Sequence, residues 1–312
     1  MSEEEVFQKT VIGTRGSDLA LVQAAATERA LTQAFPDLRI TRQVIRTTGD
    51  RRTDVALAQV AKVEGTDKGI FTKELEEALR AGEIDIAVHS LKDVPTVVSD
   101  EFEIAGVLSR APIRDVLVAR QPGGLDALPP GAVVGTSAVR RARQLQWLRP
   151  DLKVIDLRGN VPTRLRKVAE GAYDAILLAE AGLVRLGHRM SRPSMVFGTE
   201  LHFAPLAEDV FFPAAGQGAI GFEIRKGDEA AAAFVAGIVD AATFTRVRAE
   251  REFLRLLEGG CSTPVGVFTS LEHGVLKMDA RVFPDEGGTP RVAKAIGGDP
   301  MKVALELFES LA

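Results

Sequence analysis

The chain has 312 residues, 46% hydrophobic and 26% charged, with a net charge of −4; this is the profile of an ordinary globular protein with room for two or three cores, and it speaks against a basic nucleic-acid binder. A single cysteine excludes an internal disulfide framework and fits a reducing compartment, so a cytoplasmic location is expected. No run of about 18 apolar residues offers a membrane span, and the acidic start, Met1 to Glu5, lacks the basic-then-apolar layout of a secretory signal.

Thr10 to Thr14 reads as a strand, and Leu19, Ala20, Val22, Gln23 and Ala26 give the period of a helix that Ser17 can cap. Backbone N–H groups at that helix start, beside Arg15, suit an anion; a cap plus a surface arginine fits equally well. Ile40 to Arg46 alternates like a second strand. The segment Thr47 to Asp67, with Asp50 and Lys62, is rich in turn formers and charge and reads as a mobile loop around a short helix. Phe71 to Ala81 reads as a helix closed by Gly82. Ile84, Ile86 and Val88 then form a strand buried in a parallel sheet, and it runs straight into His89-Ser90-Leu91-Lys92-Asp93-Val94-Pro95. Ionisable side chains at the carboxyl end of such a strand sit where open α/β sheets bind ligands.

Phe102 to Leu108 and Val116 to Ala119 read as further strands, after which the first pattern returns. Val11-Ile12-Gly13-Thr14 before a helix recurs as Val133-Val134-Gly135-Thr136 before the helix Ala138 to Leu148. Ala81 to Val88 recurs as Glu170 to Leu177. Two α/β lobes on one plan follow, and paired lobes commonly clasp a ligand. The expected boundaries are 1–108 with 205–225 for the first lobe, 109–204 for the second, and 226–312 for a smaller C-terminal α+β domain. That domain reads as an alanine-rich helix, a helix from Thr243 to Glu258, three strands (Val265 to Phe268, Val275 to Val282, Arg291 to Ala295) and a helix from Met301. This last helix begins close to Ala312, so a trimmed domain is expected.

From Thr136 to Lys167 nine basic residues face two acids, Asp151 and Asp156, within a chain that is net negative. Guanidinium forks pair with carboxylate or phosphate, so the cluster points to a polyanionic ligand. Arg143, Arg149 and Lys167 read as a solvated face. Arg140 and Arg141 stand in the first turn of a helix, where cations oppose the dipole and something anionic must compensate them. Arg158 stands at a strand exit. Nucleic acid is a poor rival ligand, because 5% aromatic residues supply little for base stacking.

Other signals lead nowhere. Gly216-Gln217-Gly218-Ala219-Ile220-Gly221 has the glycine spacing of a dinucleotide site, but a strand follows it where the fingerprint needs a helix. Four scattered histidines with no cysteine beside them form no metal site. Cys261 differs from a core cysteine. It lies on a turn after a helix, Glu258-Gly259-Gly260 before it, where glycines allow close approach of a bulky group and a thiolate near arginines could carry a covalent attachment.

Together, His89 to Pro95, Gly135 to Arg141, Leu157-Arg158-Gly159-Asn160-Val161, Pro213 to Gly218 and Glu258 to Cys261 resemble, in order, the hydroxymethylbilane synthase (porphobilinogen deaminase) family of tetrapyrrole biosynthesis. The resemblance implies two type 2 periplasmic-binding-protein-like lobes plus a third domain, and a transferase that adds four porphobilinogen molecules to a dipyrromethane primer. Cys261 matches the cysteine that holds dipyrromethane by a thioether, and Asp93 the catalytic aspartate. Lys92, Ser90, Ser137, Arg140, Arg141, Arg158 and Asp50 match cofactor contacts; Arg15, Ser17, Arg164, Arg185, Gln217 and Phe71 match groups around the substrate. Each pyrrole brings acetate and propionate groups, which accounts for the arginines. The stretch from Lys62 to Lys68 is longer than the family's compact loop. A monomer acting on a small molecule, with neither nucleic acid nor membrane as partner, is expected. The competing reading is a cytoplasmic carboxylate-binding or sensing protein on the same fold, needing neither Asp93 nor Cys261.

Overall fold

The computed structural model describes residues 8–47, 72–259 and 263–311, so Asp50, Phe71, Cys261 and the Lys62 to Lys68 stretch lie outside the described residues. The chain divides into two compact units, one running to Arg110 and including Ala219–Phe244, the other Ala111–Gly218 with Thr245–Ala312.

In the first unit β1 (Lys9–Arg15) leads into α1 (Asp18–Ala34). The Ser17 hydroxyl accepts from the Ala20 amide at 3.4 Å, the cap that its position predicts. Ala20, Ala24, Thr27 and Leu31 recur at three- and four-residue spacing, and this is the face α1 buries. Next come β2 (Arg39–Ile45), α2 (Lys73–Arg80), β3 (Ile86–Ser90) and β4 (Phe102–Val107). Glu74 and Glu76 in the first turn of α2 and Arg80 in its last complement the helix dipole.

The second unit holds β5 (Asp115–Ala119), β6 (Val133–Gly135), α3 (Val139–Leu148), β7 (Lys153–Ile155), α4 (Val161–Ala169), β8 (Ala175–Ala179), α5 (Glu180–Arg185), β9 (Ser194–Val196) and β10 (Thr199–Pro205). The β9–β10 hairpin was not expected from the sequence. Its turn is Phe197 and Gly198 at φ +48° and +79°, and a phenylalanine where asparagine or glycine is usual hides it. The chain then returns to the first unit as β11 (Ile220–Arg225) and α6 (Glu229–Ala236), and continues as α7 (Ala241–Leu256), β12 (Val265–Glu272), β13 (Val275–Val282), β14 (Arg291–Gly297) and α8 (Pro300–Glu309).

The first sheet has the order β2-β1-β3-β11-β4 and the second β7-β6-β8-β5-β10-β9. In each, the three leading strands are parallel and the fourth, from a distant part of the chain, is antiparallel. These are type 2 periplasmic-binding-protein-like lobes. The repeat extends to single hydrogen bonds. Asp85 ahead of β3 accepts the Val11 amide on its carboxylate at 2.8 Å while its own amide reaches the Val11 carbonyl, and Asp174 ahead of β8 does the same with Val133, also at 2.8 Å. Gly82 and Gly171, at φ +70° and +83°, end the helix before each aspartate. Asp85→Ala should cost about 1.5–3 kcal/mol in urea unfolding, as a lost hydrogen bond to a charged group does, and Asp174→Ala less, since Arg225 stands 3.1 Å from Asp85 whereas Arg120 is 3.8 Å from Asp174.

Two expected boundaries shift. Residues 205–218 stay with the second sheet, because Pro205 ends β10 and Phe211 is buried among Leu117, Val134, Leu145 and Leu177. The alanine-rich helix α6, expected to open the third domain, packs instead on the first sheet through Ala231, Phe234 and Val235, with Phe234 edge-on to Phe35 at 5.4 Å. Alanine content predicted the helix but not its partner; the two large side chains decide that.

The third domain is the antiparallel meander β12-β13-β14, with Ala249 and Phe253 of α7 and Val303, Ala304 and Leu307 of α8 closing its core. It packs on the second lobe: the Val267 amide donates to the Pro213 carbonyl at 2.9 Å, and the Arg281 guanidinium lies 4.1 Å from the centre of the Phe212 ring. Among the described residues no single helix is long and apolar enough to cross a membrane.

Candidate active site

In the first unit the site is built on the carboxyl ends of β1 and β3. After Ser90 the chain makes one turn of 3-10 helix, Leu91–Asp93, with the Val94 amide on the Leu91 carbonyl at 3.2 Å. Leu91 is fully buried, and it fits only because position 221 is glycine: a Cβ there would lie 2.8 Å from its Cδ1. With Leu91 anchored, Lys92 and Asp93 of the same turn stay half-buried. A cavity of about 80 Å³ sits there, lined among others by Arg15, Ser17, Gln23, His89, Ser90 and Asp93. Four of the sequence candidates, Arg15, Ser17, Ser90 and Asp93, thus share one wall; Lys92 neighbours Asp93 on the turn.

Gln23, which the sequence reading counted only as part of a helical period, exchanges two hydrogen bonds with Ser90, 2.8 Å from its amide nitrogen and 3.2 Å to its oxygen. The available signal was a polar residue inside the buried stripe of α1. His89 is also new in detail: its Nε2 lies 3.0 Å from the Glu223 carboxylate on β11, both side chains buried. Nearby Glu76 has its carboxyl raised above the usual range by its own burial and by the charge on Glu223.

In the second unit the arginines divide by task. Asp115, at the start of β5 and wholly buried, receives Arg140 Nη1 at 2.7 Å and Arg141 Nε and Nη2 at 2.9 and 2.7 Å. The anion that the first-turn arginines require is therefore internal. Burial pushes the Asp115 carboxyl up, but the two guanidiniums outweigh it and hold the group well below the usual carboxylate range. Arg185 differs. Among the described residues no carboxylate reaches it; Nη2 donates to the Gly218 carbonyl at 2.8 Å, and burial alone pulls its pKa down to about 10.

The loop after β7 is held by side-chain donors on successive carbonyls. Tyr173 reaches Asp156, Ser137 reaches Leu157 at 2.9 Å, Lys167 reaches Arg158, and Arg164 reaches Gly159 at 2.7 Å. Gly159 is required, with φ +112° and Thr163 within 2.6 Å of where a Cβ would stand. Arg158 itself pairs with Asp156 at 3.2 Å. The solvated-face reading of Arg143, Arg149 and Lys167 needs correction: Arg143 donates to the Asp285 carbonyl, Arg149 to those of Leu125 and Leu128, and Lys167 braces the loop.

Gln217 is fully buried, its amide nitrogen 2.6 Å from the Ile113 carbonyl and 3.2 Å from Asp115. The glycine-rich turn around it is a chain return, not a nucleotide loop. A Cβ at Gly218 would lie 2.5 Å from the Ala111 carbonyl oxygen, and buried Glu250 accepts the Gly216 amide at 2.8 Å. Among the described residues no group of three His, Cys, Asp or Glu could hold a metal ion.

The donor set suits a ligand with several carboxylates: guanidiniums outnumber carboxylates at the strand ends of the second lobe, and Arg185 is desolvated with no acid beside it. Comparison with known families agrees with that chemistry. Residues 10–233 match the family described as "Porphobilinogen deaminase, dipyromethane cofactor binding domain", and residues 244–312 match "Porphobilinogen deaminase, C-terminal domain". A porphobilinogen deaminase of Syntrophobacter fumaroxidans is 44% identical over 308 residues, 96% of this chain and 94% of that protein. One from Roseiflexus sp. is 43% identical over 305 residues, 97% and 96% of the two chains. Among solved structures, the VFT2 domain of Bordetella pertussis BvgS aligns with a TM-score of 0.45 at 16% identity, over 78% of this chain and 91% of that one.

Proposed function

The chain belongs to the porphobilinogen deaminase family, and from that premise we propose roles for the residues just described. The activity is that of a transferase of tetrapyrrole biosynthesis, which deaminates porphobilinogen, joins four molecules head to tail on a dipyrromethane cofactor, and releases hydroxymethylbilane with water. When bound, dipyrromethane supplies the pyrrole carbon that the first substrate joins.

Asp93 acts as the general acid. It holds a proton on its carboxyl oxygen for the departing amine nitrogen, and as the carboxylate it offsets positive charge on pyrrole nitrogen. Its place on the wall of a small cavity with Arg15, Ser17 and Ser90 supports this role. Gln23 fixes the Ser90 hydroxyl. Arg15, Ser17, Arg164, Arg185, Gln217 and Phe71 serve the incoming substrate and growing chain. Lys92, Ser90, Ser137, Arg140, Arg141, Arg158 and Asp50 serve the dipyrromethane, with Cys261 as its point of attachment.

The observation that carries the assignment is the surplus of guanidinium: Arg140 and Arg141 share one carboxylate, and Arg185 has none among the described residues. Intact mass tests it. The purified protein should exceed its sequence mass by two pyrrole units, the excess should vanish in Cys261→Ala, and the wild type should consume porphobilinogen. A protein at its bare sequence mass that binds porphobilinogen without turnover would instead be the carboxylate-binding or sensing protein.

A further inference from the structure

We infer that Asp115 is a positioning residue for the elongation reaction: it fixes the two arginines assigned to the primer and cancels one of their two charges. The inference rests on that assignment of Arg140 and Arg141.

Asp115 cannot itself be a ligand contact. It is wholly buried, and four donor contacts converge on it: Arg140 Nη1 on Oδ2 at 2.7 Å, and Arg141 Nε, Arg141 Nη2 and Gln217 Nε2 on Oδ1 at 2.9, 2.7 and 3.2 Å. The remaining anchors are backbone carbonyls. Arg140 Nη1 also reaches the Phe212 carbonyl at 2.5 Å, and Arg141 Nη1 the Leu177 carbonyl at 3.0 Å. Each fork is thus held at two points, and its unused N–H groups have a fixed direction. Arg140 and Arg141 are each 5% exposed and Asp115 not at all, so little solvent screens the trio. Two cations and one anion leave a single positive charge. That remainder suits one carboxylate of an oligopyrrole and binds it less tightly than two uncompensated guanidiniums would, which matters for a chain that must move and finally leave.

The test is Asp115→Asn, nearly the same shape without the charge, made as the full-length holoenzyme and read by intact mass, Tm and steady-state kinetics. Of the residues assigned to substrate only Gln217 is bonded to Asp115, and its shorter bond, 2.6 Å, is to the Ile113 carbonyl, so KM should stay within about threefold while kcat falls at least about tenfold. The mass spectrum should show enzyme-bound chains accumulating at one length. If kcat per primer-loaded molecule stays within about twofold of wild type, and only Tm falls, Asp115 is merely structural and the inference is overturned. Should Asp115→Asn fail to fold, the double variant Asp115→Asn with Arg140→Gln, whose trio has the wild-type net charge, is compared with Arg140→Gln alone. A kcat lower by about tenfold in the double variant supports the inference; equal rates, or a double variant that also fails to fold, overturn it. Arg141→Lys separates this from the underlying assignment. If the assignment is wrong, Arg141→Lys matches wild type in primer occupancy and chain-length pattern. If only the role of Asp115 is wrong, Arg141→Lys is impaired and Asp115→Asn is not.

Discussion

Asp93→Asn retains its fold and its bound primer and loses turnover by about 10²-fold or more, the usual cost of deleting a general acid. The asparagine amide has the outline of the carboxyl but neither carries a proton to the leaving nitrogen nor offsets charge on a pyrrole. The turn at Leu91–Asp93 is set by buried Leu91 and by the Val94 amide on its carbonyl, both of which the substitution leaves in place. Melting temperature and intact mass should therefore match the parent while porphobilinogen consumption collapses. A variant that turns over within about threefold of wild type would remove Asp93 from the chemistry.

Arg141→Leu should be damaging in two measurable ways. The side chain makes three hydrogen bonds to buried acceptors, two on Asp115 and one on the Leu177 carbonyl. Breaking a buried ion pair by deleting one partner costs about 3–5 kcal/mol, a fall in Tm on the order of 10 °C for a protein of this size. The remaining folded protein should carry less primer, or stall early in elongation, by intact mass. Acid makes the same point with the opposite partner. Because the Asp115 carboxyl is depressed in the folded state, its contribution is complete above its unfolded pKa of about 3.9 and is lost as pH falls through the lower folded value. With Arg141 gone the folded pKa rises toward the unfolded one, and less stability remains to be lost below about pH 4. A variant with wild-type Tm and full primer would overturn the prediction.

Much of this was legible in the sequence because it is local or repeated. β1, β3, β6 and β8 are short apolar runs that end in or run into glycine, hydroxyl or charge, α1 carries its Ser17 cap, and Gly82 stops α2. Asp93, Ser90, Ser17 and Arg15 could be gathered because each stands at the carboxyl end of a strand or just past it. What escaped depends on partners far apart in the chain. Asp115 reads as the polar edge of an ordinary strand until folding brings residues 25 and 26 positions later onto it. His89 and Glu223 are 134 residues apart and become neighbours only because β11 returns beside β3. A cluster of arginines shows charge but not division of labour, so the carbonyl-holding roles of Arg143 and Arg149 could not be separated from solvent exposure. The placement of α6 failed similarly: composition names a helix, and only the complementary pocket around Phe35 names its seat.

The twin aspartates Asp85 and Asp174 fasten each lobe at the end of its sheet remote from β1, β3, β6 and β8 carboxyl termini. Scaffold and chemistry are therefore spatially decoupled within a lobe: a protein engineer could recut the strand-exit loops for other acidic heterocycles while the opposite rim keeps strand alignment from slipping.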